Sequence, residues 1–238
     1  MNPTITFNGV SSETMGVIVT RLPDFHRAAR RIVEKTIPGR HGALIQDEGA
    51  YDLYSTILEV NLNGASQRDV YAWLRGEGWL ISSDEPDYKA YVYMYGSVTD
   101  DRFRTSGGAY DTLSVDLRVE PFLRLVSEAA LSFATNSTFA GQGHAESAPL
   151  IRVDGSGDGT LMVNDETAYL SDIDGSLYID CEAGVAYTLS NGAPVFAGGQ
   201  VELEGGEWPA LKGAGETNLV SWTGGITGVW IQPNWRFL

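Results

Sequence analysis

Seventeen of the chain's 28 glycines lie after residue 140, set between short runs of β-branched and aromatic residues. Glycine weakens helix interiors and is at home in turns and bends, so this half cannot be built from long helices. Strand candidates recur through it at Leu150–Val153, Thr160–Val163, Ser176–Asp180, Val185–Leu189, Gln200–Leu203, Thr217–Trp222 and Thr227–Ile231. A rhythm of one short strand roughly every eight to twelve residues, with turn residues between, predicts a β-sandwich. No repeat of fixed period is present.

The first half also reads as strands. Ile5 and Phe7 precede Asn8-Gly9, a hairpin signal, and Met15–Val19 reads as the buried return strand. Tyr51–Leu62 reads as one long strand with Tyr54, Leu58, Val60 and Leu62 on a shared face. Ala90–Tyr95 sets Tyr91, Tyr93 and Tyr95 opposite Val92 and Met94. Tyr110–Glu120 alternates with Leu113, Val115, Leu117 and Val119 inward. One helix is signposted: Ser66-Gln67-Arg68-Asp69 forms a capping-box pattern, Val70, Trp73 and Leu74 a short apolar stripe, and Gly76 a stop. Pro121-Phe122 breaks the pattern and residues 127–148 turn rich in Ser, Ala, Thr and Gly, which places a boundary between domains 1–126 and 127–238.

With 43% apolar residues the chain can fill a core, and 20% charged residues describe a globular protein rather than a disordered one. No stretch reaches the about 18 to 20 apolar residues of a membrane span, and the start carries no secretory signal, so no membrane insertion is expected. A single cysteine, Cys181, excludes an intrachain disulfide and points to a cytoplasm-like folding compartment. The formal net charge is −15, with 13 cations against 19 anions up to residue 150 and 3 against 12 after it. So acidic a surface repels phosphate backbones, which argues against a sequence-reading nucleic-acid binder.

Catalytic motifs are missing. There is no G-x-S-x-G, H-E-x-x-H, Walker A or G-x-G-x-x-G pattern, and His26, His41 and His144 are scattered. Asp154-Gly155-Ser156-Gly157-Asp158-Gly159 partly matches a calcium loop, but it lacks the closing glutamate and its flanks are strands, so it reads as a glycine-rich hairpin. No cofactor and no metal are expected. The tyrosines at 91, 93 and 95 suit a core or subunit contact more than a ligand platform.

One segment stands against this acidic background. From Arg21 to Arg40 there are six cations (Arg21, Arg27, Arg30, Arg31, Lys35, Arg40) and two anions (Asp24, Glu34), ending in Ile37-Pro38-Gly39-Arg40-His41-Gly42. Residues 25–33 fit a helical template, whereas Arg31–Ile37 is rich in β-branched residues and Pro38 disfavours helix at Ile37, which favours strand. Such a strip can grip either a second copy of the chain or a polyanion.

Several motifs, in order, resemble one known family. Phe7-Asn8-Gly9-Val10, Ser12, Met15-Gly16-Val17, Ile37-Pro38-Gly39-Arg40-His41-Gly42 and Tyr51 are similar to the N-terminal signature of siphophage distal tail (Dit) proteins. Ala148-Pro149-Leu150-Ile151, the turn at 155–159, Leu177-Tyr178-Ile179-Asp180, Thr217-Asn218-Leu219-Val220 and Pro233-Asn234-Trp235-Arg236 are similar to that family's C-terminal domain. The resemblance implies a mainly β protein with an N-terminal β-sandwich-like ring domain carrying one α-helix and a C-terminal galectin-like β-sandwich. It implies a structural virion protein, not an enzyme, that assembles as a homo-oligomeric ring, typically a hexamer. The ring would join the tail tube protein to the tail-tip or tail-associated lysin protein, with the tape measure protein a further partner and DNA passing through the lumen without specific binding. The implied location is the virion tail tip, reached from the host cytoplasm during assembly.

Within that picture the basic strip is expected to be an inter-subunit arm. Arg27, Arg30, Arg31, Lys35 and Arg40 would face a neighbour's acids, Ile32, Val33 and Ile37 would supply apolar burial, and Pro38-Gly39 would close the turn. The alternative function is a carbohydrate-binding module that recognises a cell-wall glycan through the C-terminal sandwich with Trp222, Trp230 or Trp235. The His-x-Asn-x-Arg and Trp-Gly-x-Glu patterns of sugar-binding galectins are absent.

Overall fold

The computed structural model describes residues 2–96, 98–105 and 108–238, with side chains considered outside 100–110. The chain divides into two compact units, Met1–Val126 together with Leu238, and Ser127–Phe237.

Unit 1 contains β1 (Ile5–Phe7), β2 (Val10–Ser11), β3 (Ile18–Arg21), β4 (Arg30–Thr36), β5 (Ala43–Tyr51), β6 (Tyr54–Asn61), α1 (Gln67–Trp73), β7 (Gly76–Ser82), β8 (Tyr88–Met94), β9 (Val98–Thr105) and β10 (Gly108–Leu125). Its main sheet runs β2-β1-β7-β8-β10-β6-β3, with β9 also paired to β10. The expected alternation of β10 is present: Leu113, Val115, Leu117 and Val119 are buried with Ala90, Val92 and Met94 of β8 and Leu58 and Val60 of β6. Val70 and Leu74 of the helical segment close the same core.

Four details differ from the expectation. The Asn8-Gly9 turn returns through the two-residue β2, while β3 pairs with β6. Ser12 explains this: its N–H donates to the Ile5 carbonyl at 2.9 Å and its hydroxyl accepts the Ile5 N–H at 3.2 Å, ending the hairpin before Met15. Tyr51–Leu62 is interrupted at Asp52-Leu53, where the chain leaves one sheet and enters another. Ser66 stands at the helix N-cap without a side-chain capping bond. Finally β7 begins at Gly76 itself. Gly76 reads as the helix stop, and Gly78 two residues on is accommodated inside the strand because Asn8 fills the space a Cβ would take.

Unit 2 contains β11 (Leu131–Phe133), β12 (Ser137–Ala140), β13 (Leu150–Val163), β14 (Glu166–Asp180), β15 (Val185–Ser190), β16 (Ala193–Phe196), β17 (Val201–Leu203) and β18 (Thr217–Gln232). The sheet order is β11-β18-β13-β14-β15-β16, with β12 on β18 and β17 on β14. In β13 and β18 the pairs of short strands read from the sequence are halves of single long ones, while of β14 the sequence reading gives only Ser176–Asp180. β13, β14 and β18 each run through a glycine-containing midpoint, and their halves surround one core that includes Ile151, Leu161, Leu177, Val220 and Ile231. The Asp154–Gly159 stretch is therefore a bulged bend inside β13, not a hairpin. Its carboxylates serve the fold: Asp154 accepts from Ser176 Oγ at 2.6 Å and pairs with Arg152 at 3.0 Å, and Asp158 accepts the Asp172 N–H at 3.1 Å. Among the described residues no three His, Cys, Asp or Glu side chains form a metal-sized group, and no helix is long and apolar enough to cross a membrane.

The end of unit 2 is latched by Glu128. Its carboxylate accepts from Gln232 Nε2 at 2.5 Å, the Asn234 N–H at 2.7 Å and the Trp235 N–H at 2.8 Å, and Trp235 is core. Removing a carboxylate that satisfies three donors should cost roughly 2 to 3 kcal/mol. Glu128→Ala is expected to lower the denaturation midpoint of unit 2, with Glu128→Gln falling between it and wild type; unchanged midpoints would contradict the latch.

Cys181 is buried, and desolvation pushes its thiol from 9.0 to about 12. The folded value is raised, so the stability tied to the protonated thiol is complete below pH about 9 and is lost as pH rises toward 12. Ellman's reagent should leave Cys181 unmodified in the folded protein at pH 8 and react with it in urea. Rapid native labelling would contradict the burial.

Candidate functional site

β4 and β5 form a separate two-stranded sheet that belongs to neither core. Every residue from Arg30 to Gly49 is exposed. The turn follows from Ile37-Pro38-Gly39-Arg40: the Arg40 N–H donates to the Ile37 carbonyl at 3.1 Å and Gly39 has φ +80. Proline at the second position and glycine at the third are what a type II turn requires. The register then sets Val33 against Gln46, Glu34 against Ile45 and Lys35 against Leu44.

A bulge between Arg30 and Ile32, opposite Glu48–Ala50, separates this arm from its base. The base is firmly held. The Asp52 N–H donates to the Ala29 carbonyl at 2.9 Å, the Tyr51 ring meets Phe122 edge-on at 5.3 Å, and Ala28 is buried. Just upstream, the Asp24 N–H donates to Thr56 Oγ1 at 2.9 Å and the His26 ring lies 4.3 Å from the Tyr54 ring.

The basic residues divide into two groups. Arg30 pairs with Asp47 at 3.0 Å and lies 5.1 Å from the Tyr51 ring centre; Arg31 pairs with Asp52 at 3.0 Å and approaches Glu48 at 3.9 Å. Within one chain these two arginines thus engage acids of their own hairpin and its base. Such exposed pairs contribute only a few tenths of a kcal/mol each, but together they brace the hairpin where it leaves the domain. Arg27, Lys35 and Arg40 have no ion-pair partner among the described residues.

The arm is also apolar on both faces. Ile32 and Ile45 lie on one, Val33, Ile37 and Leu44 on the other, and their exposures run from 36% at Val33 to 61% at Ile45. A lone two-stranded hairpin is marginal in water and gains stability by covering such side chains. The sequence identified β4 and the turn but not β5, whose Gln46-Asp47-Glu48-Gly49 stretch carries no apolar alternation. Leu44-Ile45 just after a Pro-Gly turn was the available signal.

The three tryptophans do not converge. Trp235 is buried, Trp222 packs its ring against the core, and Trp230 lies outward with the Arg152 guanidinium 5.9 Å from its ring centre. The outward face of unit 2 instead aligns Trp230, Arg152, Tyr178, Tyr187 and Phe196 across five strands, with Tyr178 and Tyr187 stacked at 5.2 Å. No single residue in that row would have revealed it, because it depends on strand register.

Two β units in tandem, the first bearing one helix and a two-stranded sheet outside its main one, make up a mainly β fold that other solved structures share. The solved structures it matches include SPP1 Dit (gp 19.1), described as a paradigm of the hub adsorption apparatus in phages infecting Gram-positive hosts; the match covers 100% of both chains with a TM-score of 0.73 and 16% identity. A chain of the phage P2 baseplate in its activated conformation with calcium matches over 97% of each chain, with a TM-score of 0.52 and 7% identity. Neither a family model nor a curated protein matches the sequence. At these identities the likeness establishes the fold, which is the mainly β fold expected from the distal-tail motifs.

Proposed function

We propose that this chain is the distal-tail hub of a siphophage-like tail and acts as a structural ring, a hexamer in the form its family resemblance implies. One observation carries the reading: a braced hairpin extends from the first domain with apolar side chains open on both faces. A soluble monomer gains nothing from such an arm, whereas a ring needs one patch of each subunit to meet a different patch on the next. Arg27, Lys35 and Arg40 remain to set register against a neighbour's acids, and Ile32, Val33, Ile37, Leu44 and Ile45 supply the affinity. The ring would sit between the tail tube protein and the tail-tip or tail-associated lysin protein, with the tape measure protein above it, at the virion tail tip after assembly in the host cytoplasm. Its role is scaffolding, and no residue is assigned a catalytic step.

The acidic balance of the chain suits a lumen that passes DNA, because an anionic or neutral wall does not hold phosphates. Negative-stain electron microscopy of the purified protein should show annular particles with an open centre. Compact particles without a hole at every concentration would overturn the reading.

A further inference from the structure

The row Trp230, Arg152, Tyr178, Tyr187 and Phe196 crosses the outward face of unit 2, and at its Phe196 end the surface is hollow. A cavity of about 770 Å³ lies there, lined by Asp174, Ser176, Tyr178, Thr188, Phe196 and Gln200 among others. That volume falls within the roughly 300 to 1,000 Å³ of small-ligand sites. Its wall is the segment 196–200, held at both ends. The Ala197 N–H donates to the Ala186 carbonyl at 2.8 Å, and Gln200 Nε2 donates to the Asp172 carbonyl at 2.8 Å. Phe196 is 76% exposed, and its ring rests on Gly198, where a Cβ would overlap ring atoms. Beside it Leu189 is 47% exposed, and the Tyr178 and Tyr187 rings lie parallel, 5.2 Å apart. Ring surface is thus fixed in place and left for a ligand to cover.

The polar lining is largely uncommitted. Neither the Asp174 carboxylate nor the Thr188 hydroxyl has a partner among the described residues. Ser176 gives its proton to Asp154 at 2.6 Å and so presents its oxygen as an acceptor. Arg152 differs: its guanidinium is matched by Asp154 at 3.0 Å. One unmatched charge, that of Asp174, therefore stands among hydroxyl, amide and ring groups.

This set selects a class of ligand. An anion would meet the Asp174 carboxylate in a part of the chain with 3 cations against 12 anions after residue 150. A wholly apolar ligand would strip water from Asp174, Thr188 and Ser176 and offer them no hydrogen bond. A sugar ring answers both demands. Its C–H face covers an aromatic ring, while its hydroxyls donate to a carboxylate and exchange hydrogen bonds with hydroxyl and amide groups. Adjacent strands stand about 4.8 Å apart, so the rings of Tyr178, Tyr187 and Phe196 recur at about the length of one sugar unit.

We propose that this hollow binds a neutral oligosaccharide, with Phe196 and Tyr178 as stacking surfaces and Asp174, Thr188 and Gln200 as hydrogen-bonding groups. Of the three tryptophans expected at a glycan site, only Trp230 lies on the row, beyond Arg152. The site lies wholly within unit 2 and does not depend on ring formation.

The test is calorimetric titration of the full chain with cellotetraose, maltotetraose, chitotetraose and galactotetraose, and with poly(glycerol phosphate) as the anionic probe. At least one neutral tetrasaccharide should bind with a dissociation constant of about 1 mM or tighter, and the polyanion should not bind. Phe196→Ala and Asp174→Asn should each weaken that binding roughly tenfold, while Phe196→Tyr, which keeps the ring, should stay within about threefold of wild type. Both side chains are exposed, so the thermal unfolding midpoints should not move. Silence toward all four sugars at about 10 mM overturns the proposal. So does full affinity in Phe196→Ala, and a preference for the polyanion overturns the neutral class. A Phe196→Ala protein that binds sugar as wild type does but self-associates less would make this face a protein contact instead.

Discussion

Excising residues 30–51 and joining Ala29 to Asp52 through Asn-Gly should leave a folded monomer that no longer forms rings. The junction is stereochemically available, because the Asp52 N–H already donates to the Ala29 carbonyl at 2.9 Å and a two-residue turn closes such a pair. Neither core loses a side chain, since the removed residues are exposed apart from Ala50 and Tyr51 at the base. The expected magnitude follows from apolar burial. Five large side chains between 36% and 61% exposed would each gain about 1 kcal/mol on being covered, about 5 kcal/mol per contact and roughly three to four orders of magnitude in association. The arm's charge pairs, at a few tenths of a kcal/mol each, cannot supply that. Apolar burial therefore sets affinity and charge sets register. Rings of normal size from the excised protein would contradict this assignment.

The second large effect is expected at the waist of unit 2. At Gly225 in β18 a Cβ would overlap the Ser156 carbonyl oxygen, and at Gly155 in β13 it would meet the Gly225 carbonyl oxygen at 2.5 Å. Both obstacles are backbone, so no side chain can rotate away. Gly225→Ala should destabilise unit 2 by about 3 kcal/mol, near the upper end for overpacking. Gly199→Ala, where nothing lies within 4 Å of a Cβ, should change stability by less than about 1 kcal/mol. Chemical denaturation followed by tryptophan fluorescence reports both, since Trp208, Trp222, Trp230 and Trp235 belong to this unit. Equal effects of the two substitutions would show that the strands can separate at the waist without cost.

These sites also mark where sequence reading succeeds and fails. Alternation in β10 and the tyrosine file of β8 were legible because each strand has one wet and one dry face. The long strands β13, β14 and β18 were not. A glycine-rich interruption reads alike whether the chain reverses or only bends, and only cross-strand register, here with bulges near Gly155 and Gly159, tells the two apart. The β7 strand goes unread in the sequence because Gly76, its first residue, reads as a helix stop. For the arm, charge and the Pro-Gly turn were visible in composition alone. The fact that Arg30 and Arg31 are matched by Asp47 and Asp52 depends on pairing β4 with a strand whose residues are too polar to announce themselves. Lys35 is thereby distinguished from its neighbours by geometry, not by residue type.

The central claim, that this chain is a ring-forming hub, is tested most directly by the mass of the intact protein in solution. Light scattering on a gel-filtration column should give a single species at a multiple of 25.8 kDa, the hexamer, over a wide concentration range. A mass of 25.8 kDa at every concentration would contradict it.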